Sequence, residues 1–174
     1  MHYDITLPLT QADINTLRAG DTVTLTGTVF TARDAAHKLI TEQLGRGEEL
    51  SFDLNGACIY YAGPCPAAPG EVLGPCGPTT AYRMDAYTPT LIAHGQNAMI
   101  GKGYRSADVV QAMQGRAVYF AATGGAAVLI SRCVKSAEIV AYPQLGAEAV
   151  RRLTVEKLPL VVAIDAFGGN LYER

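Results

Sequence analysis

A proline- and glycine-rich segment in the middle of the chain, residues 63–78, limits the fold more than any other feature of the sequence. Its 16 residues include five prolines and four glycines. Proline lacks the backbone N–H that helices and central strands need, so this segment can form neither. Long structured loops of this kind often carry function. The sequence therefore predicts regular elements on both sides of one long loop.

Hydrophobic periodicity predicts what those regular elements are. Thr10 followed by Asp13 is typical of a helix N-cap, and this short helix is expected to end before Gly20. Over residues 21–30, apolar side chains alternate with threonines, which indicates a strand buried on one face. The other predicted elements are helices over 32–46, 85–94, 107–113 and 124–133, and strands over 57–62, 98–100, 117–122, 139–142 and 160–166.

This order of elements predicts a layered α/β fold. Helices that alternate with apolar strands favour a mainly parallel sheet, whereas the threonine-rich strand near the start favours a second, more exposed antiparallel sheet. A chain of 174 residues is about one domain long. We therefore expect a single domain over residues 1–174.

Composition narrows the possible partners and locations. The 14 basic and 16 acidic residues are scattered along the chain, which argues against nucleic-acid binding. Only 17% of residues are charged, so we expect a partner chain to cover part of the surface. The sequence has no apolar run of the roughly 20 residues that span a bilayer, and residues 1–9 lack a signal-peptide pattern. These features predict a cytoplasmic protein without a membrane partner.

The four cysteines do not form a recognisable metal-binding motif. Cys58, Cys65, Cys76 and Cys133 match no CxxC zinc or redox spacing and no ferredoxin pattern. Each is expected to be a reduced and mostly buried thiol. An iron–sulfur cluster would need ligands from elsewhere.

The first candidate site follows the proline-rich segment. Thr79 and Thr80 precede a predicted helix, where backbone N–H groups and hydroxyls can hold a carboxylate, and Arg83 can add a bidentate contact. The alternative is structural. In that interpretation the threonines cap the helix and Arg83 pairs with Asp85 on the surface.

The second candidate site is the turn over residues 101–106, which contains Lys102 and Arg105. Its glycines and positive charges could meet an anion at a helix N-terminus. It lacks the complete dinucleotide and Walker patterns, so nucleotide binding is a weak interpretation. An ordinary turn in which both cations are solvated is the structural alternative.

The third candidate site places Arg33, Asp34 and His37 around the first turn of a predicted helix. Asp34 would also interact favourably with the helix dipole. A single histidine in such a helix is more often packed or solvated than catalytic. No Ser/His/Asp or Cys/His arrangement stands out.

Several segments of the chain together resemble one known family. They are TARDAAHKLI, GPTTAYRMD, MIGKGYRS, YFAATGGAAVLI and VVAIDAFGGNLY, in that order. In this combination the chain closely resembles the β subunit, or C-terminal domain, of class I iron–sulfur fumarases and L(+)-tartrate dehydratases. The resemblance implies a swivelling β/β/α domain that closes an active site over a 4Fe–4S cluster. A partner α subunit would hold that cluster through its own cysteines.

The resemblance also implies roles for individual residues. Thr79 would be the catalytic base, activated by a carboxylate of the partner, because an unaided threonine is too weak a base at neutral pH. The partner's iron would act as a Lewis acid toward the hydroxyl group. The residues that would bind the dicarboxylate substrate are Arg33, Arg83, Lys102 and Thr80. Those that could support them are His37, Asp34 and Arg105.

Two residues depart from the pattern that the resemblance implies. Tyr82 stands where glycine is common before Arg-Met-Asp, and Tyr104 stands where asparagine is usual after Gly-Lys-Gly. Either could reshape the pocket. Hydration of fumarate to malate is the first expectation, and dehydration of tartrate or a non-catalytic dicarboxylate-binding module are the alternatives. The isolated chain is expected to form a homodimer.

Overall fold

The computed structural model describes residues 1–122 and 127–173. Its strands are β1 (His2–Thr6), β2 (Thr22–Thr31), β3 (Cys58–Tyr60), β4 (Ala98–Gly101), β5 (Val118–Ala121), β6 (Val134–Ala141) and β7 (Val150–Ile164). Its α-helices are α1 (Gln11–Thr16), α2 (Asp34–Gly45), α3 (Thr88–Ala93), α4 (Ala107–Ala112) and α5 (Ala127–Cys133). Two 3₁₀ segments cover Ala81–Met84 and Pro143–Glu148. This content confirms the predicted mixture of helices and strands.

Within the described residues, seven strands form one mixed sheet in the order β1-β2-β3-β4-β5-β7-β6. Strands β1 to β5 pair in parallel with their neighbours. Strand β7 runs antiparallel to β5, to β6 and also to β2. The extra pairing of β2 with β7 closes a ring of five strands, β2-β3-β4-β5-β7.

The expected division into two separate sheets is therefore corrected. Strand β2 has 10 residues and takes part in both parallel and antiparallel pairing, whereas β7 has 15 residues and pairs antiparallel with three strands. On one edge, β2 pairs first with β1 and then, at Phe30 and Thr31, with β3. Its other edge pairs with β7 along most of its length. Parallel and antiparallel pairings thus belong to a single curved sheet.

Strands β3, β4 and β5 are buried on both faces, which explains their continuous apolar runs. Successive residues of a strand point to opposite faces. One face packs inside the ring of strands, and its buried residues include Leu25, Tyr60, Ile100, Phe120 and Val162. The other face packs against the helices, and its buried residues include Ile40, Ile59, Tyr61, Leu91, Met99, Val109 and Tyr119.

The predicted helix over residues 85–94 begins later than expected. A 3₁₀ turn ends at Met84, and α3 starts only at Thr88. Pro89 is the reason, because a proline in a helix interior clashes with the carbonyl four residues earlier but is tolerated in the first turn. The Thr10 capping box at α1 is confirmed, with hydrogen bonds in both directions between Thr10 and Asp13.

Other predictions were incomplete. Strand β1 and the first ten residues of β7 were missed, since charged side chains interrupt the apolar pattern of β7. The predicted helix start at Gly124 and Gly125 lies outside the described residues, and α5 is described from Ala127. Among the described helices, none has the length and apolar character needed to cross a membrane.

Candidate functional site

The candidate site lies where three neighbouring parallel strands end. Strands β2, β3 and β4 pair side by side, so their carboxyl ends share one edge of the sheet. Arg33 follows β2, the segment that leads to Thr79 follows β3, and Lys102 follows β4. Ligands commonly bind at the carboxyl ends of parallel strands, in closed barrels as in open sheets. The topology thus places all three predicted sites near one another.

Two loops meet directly at this edge. We call residues 79–85 the threonine loop and residues 101–106 the lysine loop. Thr80 and Lys102 form a parallel bridge, and the Ala81 N–H donates to the Lys102 carbonyl at 2.8 Å. The Thr79 N–H donates to the Tyr61 carbonyl at 2.6 Å, just beyond β3. Backbone hydrogen bonds therefore hold Thr79, Thr80 and Lys102 together.

The functional groups of these three residues are available to a ligand. Thr79 and Thr80 are half-buried, and Lys102 is exposed. Within residues 1–122 and 127–173, none of their side chains forms a hydrogen bond or an ion pair. Thr80 occupies the N-cap position of the 3₁₀ segment, but its side chain makes no capping hydrogen bond. The capping interpretation of Thr80 is therefore wrong.

Arg83 connects the threonine loop to the start of α2. Its Nε lies 2.9 Å from Asp34 Oδ2, within ion-pair distance. The predicted alternative, a surface pair with Asp85, is wrong because Asp85 pairs with Arg105 instead. The side chain of Arg83 remains 46% exposed. Its guanidinium can therefore still meet a ligand.

Arg33 lies close to the beginning of the proline-rich segment. Its Nε is 3.6 Å from Glu148 Oε1 and, within the described residues, has no hydrogen-bond partner. A Cβ at Gly63 would come within 3.3 Å of Arg33 Cδ and 3.1 Å of the Ala147 carbonyl, so glycine gives the arginine room there. Arg33 and Arg83 thus each lie beside a carboxylate of the chain itself.

His37 is buried and cannot touch a ligand in solvent. Its Nδ1 is 2.8 Å from the Arg33 carbonyl, which requires a proton on Nδ1 for a hydrogen bond. Burial lowers the pKa of His37 from 6.5 to about 4, so the ring is neutral at physiological pH. The packed interpretation of His37 is confirmed. The residue supports the backbone at Arg33.

Arg105 is also buried, contrary to the predicted solvated turn. Its side chain is 0% exposed, and Nε donates to Asp85 Oδ1 at 2.8 Å. The second oxygen of Asp85 accepts the Ser106 N–H at 2.6 Å. Direct contact between Arg105 and an anion in solvent is therefore excluded. What the arginine does is connect the lysine loop to the threonine loop.

The two tyrosines that depart from the family pattern contact each other. The rings of Tyr82 and Tyr104 stack with centroids 5.6 Å apart and planes 2° from parallel. Each ring is about half exposed. The stack is thus an exposed contact between the two loops, whereas the Asp85–Arg105 pair is a buried one. Periodicity could not have indicated this contact, because the residues are far apart in sequence.

Comparison with known proteins identifies the family. The family model described as "Fumarase C-terminus" matches residues 2–174. The chain belongs to this family. The match covers the candidate site and the whole sheet, so the resemblance drawn from the sequence segments is confirmed.

Individual relatives in the fumarase C-terminus family agree with this result. The anaerobic class I fumarate hydratase of Escherichia coli is 39% identical over 155 residues, which is 87% of this chain and 28% of that protein. Fumarate hydratase 2 of Leishmania major is 38% identical over 158 residues, again 28% of its length. The chain therefore spans less than a third of these relatives.

A further relative has about the length of this chain. The Methanocaldococcus jannaschii protein named "Putative L(+)-tartrate dehydratase subunit beta" is 39% identical over 173 residues. The match covers 95% of this chain and 89% of that protein. The relatives thus carry the names of two hydro-lyases, and one is named as a separate subunit.

The cysteines were only partly predicted. Cys58 and Cys76 are buried, and burial raises the pKa of both thiols, that of Cys76 to about 12. Cys65 is exposed and Cys133 is half-buried, so the expected burial is wrong for Cys65. Among the residues that the structure describes, no three His, Cys, Asp or Glu side chains form a group suited to a metal ion. The described residues do not fit an iron–sulfur cluster.

Proposed function

We propose that this chain is the β-type subunit of a hydro-lyase that interconverts fumarate and malate, working with a partner α subunit. The observation that carries the proposal is the backbone-linked group of Thr79, Thr80 and Lys102 at the carboxyl edge of the sheet, in a member of the fumarase C-terminus family. In this proposal the chain moves as a swivelling domain and closes the active site. The partner, and not this chain, holds the 4Fe–4S cluster.

The charges around the site suit a dicarboxylate. Lys102 carries a positive charge without an ion-pair partner among the described residues, whereas Arg83 and Arg33 lie beside Asp34 and Glu148. A substrate carboxylate could take the place of either protein carboxylate, because it offers the same acceptor geometry to a guanidinium. The Arg83–Asp34 and Arg33–Glu148 ion pairs are both partly exposed, and ion pairs at exposed positions are weak. The resting structure thus keeps the arginines oriented without blocking them.

In the proposed reaction, the Thr79 hydroxyl passes its own proton to a stronger base and takes a proton from the carbon next to a substrate carboxylate. The electron pair of that C–H bond forms the double bond, and the hydroxyl group on the neighbouring carbon leaves as hydroxide. Removal of that proton places negative charge on the carboxylate, and the nearby cations stabilise this charge. A threonine hydroxyl needs a stronger base to take its own proton. We assign that base to a carboxylate of the partner subunit. Asp34, His37 and Arg105 support the substrate-binding groups without touching the substrate.

The proposal extends to assembly and location. An α subunit would cover the exposed site, and the chain without it would form a homodimer. We predict a cytoplasmic enzyme whose ligand is a small dicarboxylate rather than nucleic acid or lipid. Size-exclusion chromatography of the chain, alone and with the cluster-bearing subunit, tests the assembly. Failure of the two chains to associate would contradict this part of the proposal.

Tartrate is the second candidate substrate, because a relative of about the same length is named as a putative tartrate dehydratase subunit. The test is a comparison of kcat/KM for malate and L(+)-tartrate on the assembled enzyme. We expect the higher value for malate. A higher kcat/KM for tartrate would make tartrate the assigned substrate. If the chain binds malate but the assembly turns over neither compound, a non-catalytic binding module is favoured.

A further inference from the structure

The buried ion pair between Asp85 and Arg105 connects the far ends of the two loops that carry the candidate site. Asp85 is the last residue of the threonine loop, and both of its oxygens bind the lysine loop. Oδ1 accepts from Arg105 Nε at 2.8 Å, and Oδ2 accepts from the Ser106 N–H at 2.6 Å. At the near end, Ala81 and Lys102 share a backbone hydrogen bond of 2.8 Å. The two loops are thus fixed to each other at both ends.

The guanidinium of Arg105 is oriented by more than its partner carboxylate. Nη2 donates to Tyr61 Oη at 3.1 Å and to Thr88 Oγ1 at 3.0 Å. The guanidinium carbon also lies 4.8 Å from the centre of the Tyr119 ring. These contacts come from β5, from α3 and from the residue after β3. A planar guanidinium fork can make them all at once, and a lysine ammonium cannot.

Stability alone does not account for such a pair. Burying two charges costs solvation free energy, and apolar residues of similar volume are often equally or more stabilising. The contacts here instead have a clear geometric consequence. They determine where Lys102 and Thr79 lie relative to each other, although neither Asp85 nor Arg105 is exposed enough to meet a ligand.

We propose that Asp85 and Arg105 are positioning residues that set the separation between the threonine loop and the lysine loop, and so select ligands with two carboxylates over ligands with one. This inference rests on the proposed function, because it assumes that both loops bind one dicarboxylate. A diacid contacts both loops and depends on their separation. A monoacid contacts one loop and does not.

Arg105→Lys in the assembled enzyme tests the inference, with malate as substrate and succinate and propionate as competitive inhibitors. We expect KM for malate and Ki for succinate to rise at least about tenfold, since displacement of one loop breaks a charge-assisted hydrogen bond to one of the two carboxylates. Ki for propionate should change less than about twofold. The matched control is Arg152→Lys, in an exposed ion pair with Glu138 on β7 and β6. It should leave all three constants unchanged.

A purely structural role would give a different result. Partial unfolding lowers the amount of active enzyme, so kcat per total protein falls while KM and both Ki values stay the same. That pattern, or equal rises for succinate and propionate, would overturn the inference. If Arg105→Lys does not fold, Thr88→Val removes one acceptor of the guanidinium with little change in shape and should raise Ki for succinate alone.

The wild-type enzyme separates this inference from the function on which it rests. The inference would be rejected, and the proposed function kept, if the wild-type enzyme turns over malate while Arg105→Lys and Thr88→Val keep the wild-type ratio of Ki for succinate to Ki for propionate. A wild-type assembly that neither binds succinate nor turns over malate or tartrate would reject both.

Discussion

His37 gives the chain a pH-dependent stability that can be calculated from its surroundings. The imidazole is 0% exposed, and its one hydrogen bond among the described residues runs from Nδ1 to the Arg33 carbonyl. Burial lowers its pKa from 6.5 to about 4 in the folded state. In the unfolded chain the ring is solvated and keeps the ordinary value. Between these two values the unfolded state therefore binds more protons than the folded state.

The sign and size of the effect follow from this difference. Stability rises with pH wherever the unfolded state binds more protons. The neutral ring of His37 thus contributes fully above pH 6.5, and the contribution is lost as pH falls toward 4. Each pKa unit corresponds to about 1.4 kcal/mol, so the whole contribution is about 3 kcal/mol. About 2 kcal/mol of it should be lost between pH 7.5 and pH 5.

Urea unfolding of wild type and His37→Asn at these two pH values measures the effect. Asparagine can keep a donor near the Arg33 carbonyl but cannot gain a proton, so its loss of stability between the two pH values should be about 2 kcal/mol smaller than that of wild type. The matched control is His94→Asn. The Nδ1 of His94 also lies 2.8 Å from the carbonyl four residues earlier, but this ring is exposed. We expect His94→Asn to keep the wild-type pH dependence; if His37→Asn keeps it as well, burial of His37 is not its cause.

Two further substitutions test the packing and the charge of the site. Gly101→Ala would place a Cβ 2.7 Å from Cδ2 of the buried Tyr61 ring, so we expect the free energy of unfolding in urea to fall by about 1–3 kcal/mol. In the control Gly45→Ala, the Cβ meets nothing within 4 Å, so the free energy of unfolding should rise by about 0.5–1 kcal/mol. Equal effects of the two glycine substitutions would contradict the close packing under the lysine loop. Lys102→Met should raise KM for malate about tenfold or more with an unchanged Tm, because a charge-assisted hydrogen bond is lost from an exposed position. An unchanged KM would remove Lys102 from the substrate site.

Much of the fold could be predicted from local pattern. The threonine alternation of β2, the capping box at Thr10 and the apolar runs of β3 to β5 each report a local environment, and the structure confirms them. The closed ring of strands could not be predicted in this way. It depends on pairing between β2 and β7, whose residues lie more than 100 positions apart. In addition, the first ten residues of β7 could not be recognised as a strand, because charged side chains interrupt their apolar pattern.

In the candidate site, too, local features could be predicted from the sequence and long-range contacts could not. The threonine loop, the lysine loop and the start of α2 were each identified as separate candidates, because glycines, hydroxyls and cations before helices are visible in sequence. Their meeting at one edge depends on strand order. The partners of the arginines also required the structure, since Arg83 pairs with Asp34 rather than with Asp85, and Arg105 is buried. Sequence spacing alone suggests ion pairs between residues that are close in the chain. The observed partners are instead brought together by the tertiary fold.

The most direct test of the proposed function is an absorbance assay of fumarate formation from malate, with this chain and its cluster-bearing partner produced together and reconstituted without oxygen. We expect turnover that requires both chains and that falls by at least about 100-fold in Thr79→Ala, since general-base catalysis contributes about 10²–10⁴-fold. Thr79→Ala should still associate with the partner and bind succinate. Turnover by the partner alone, or near wild-type activity in Thr79→Ala, would contradict the assignment of this chain and of its base.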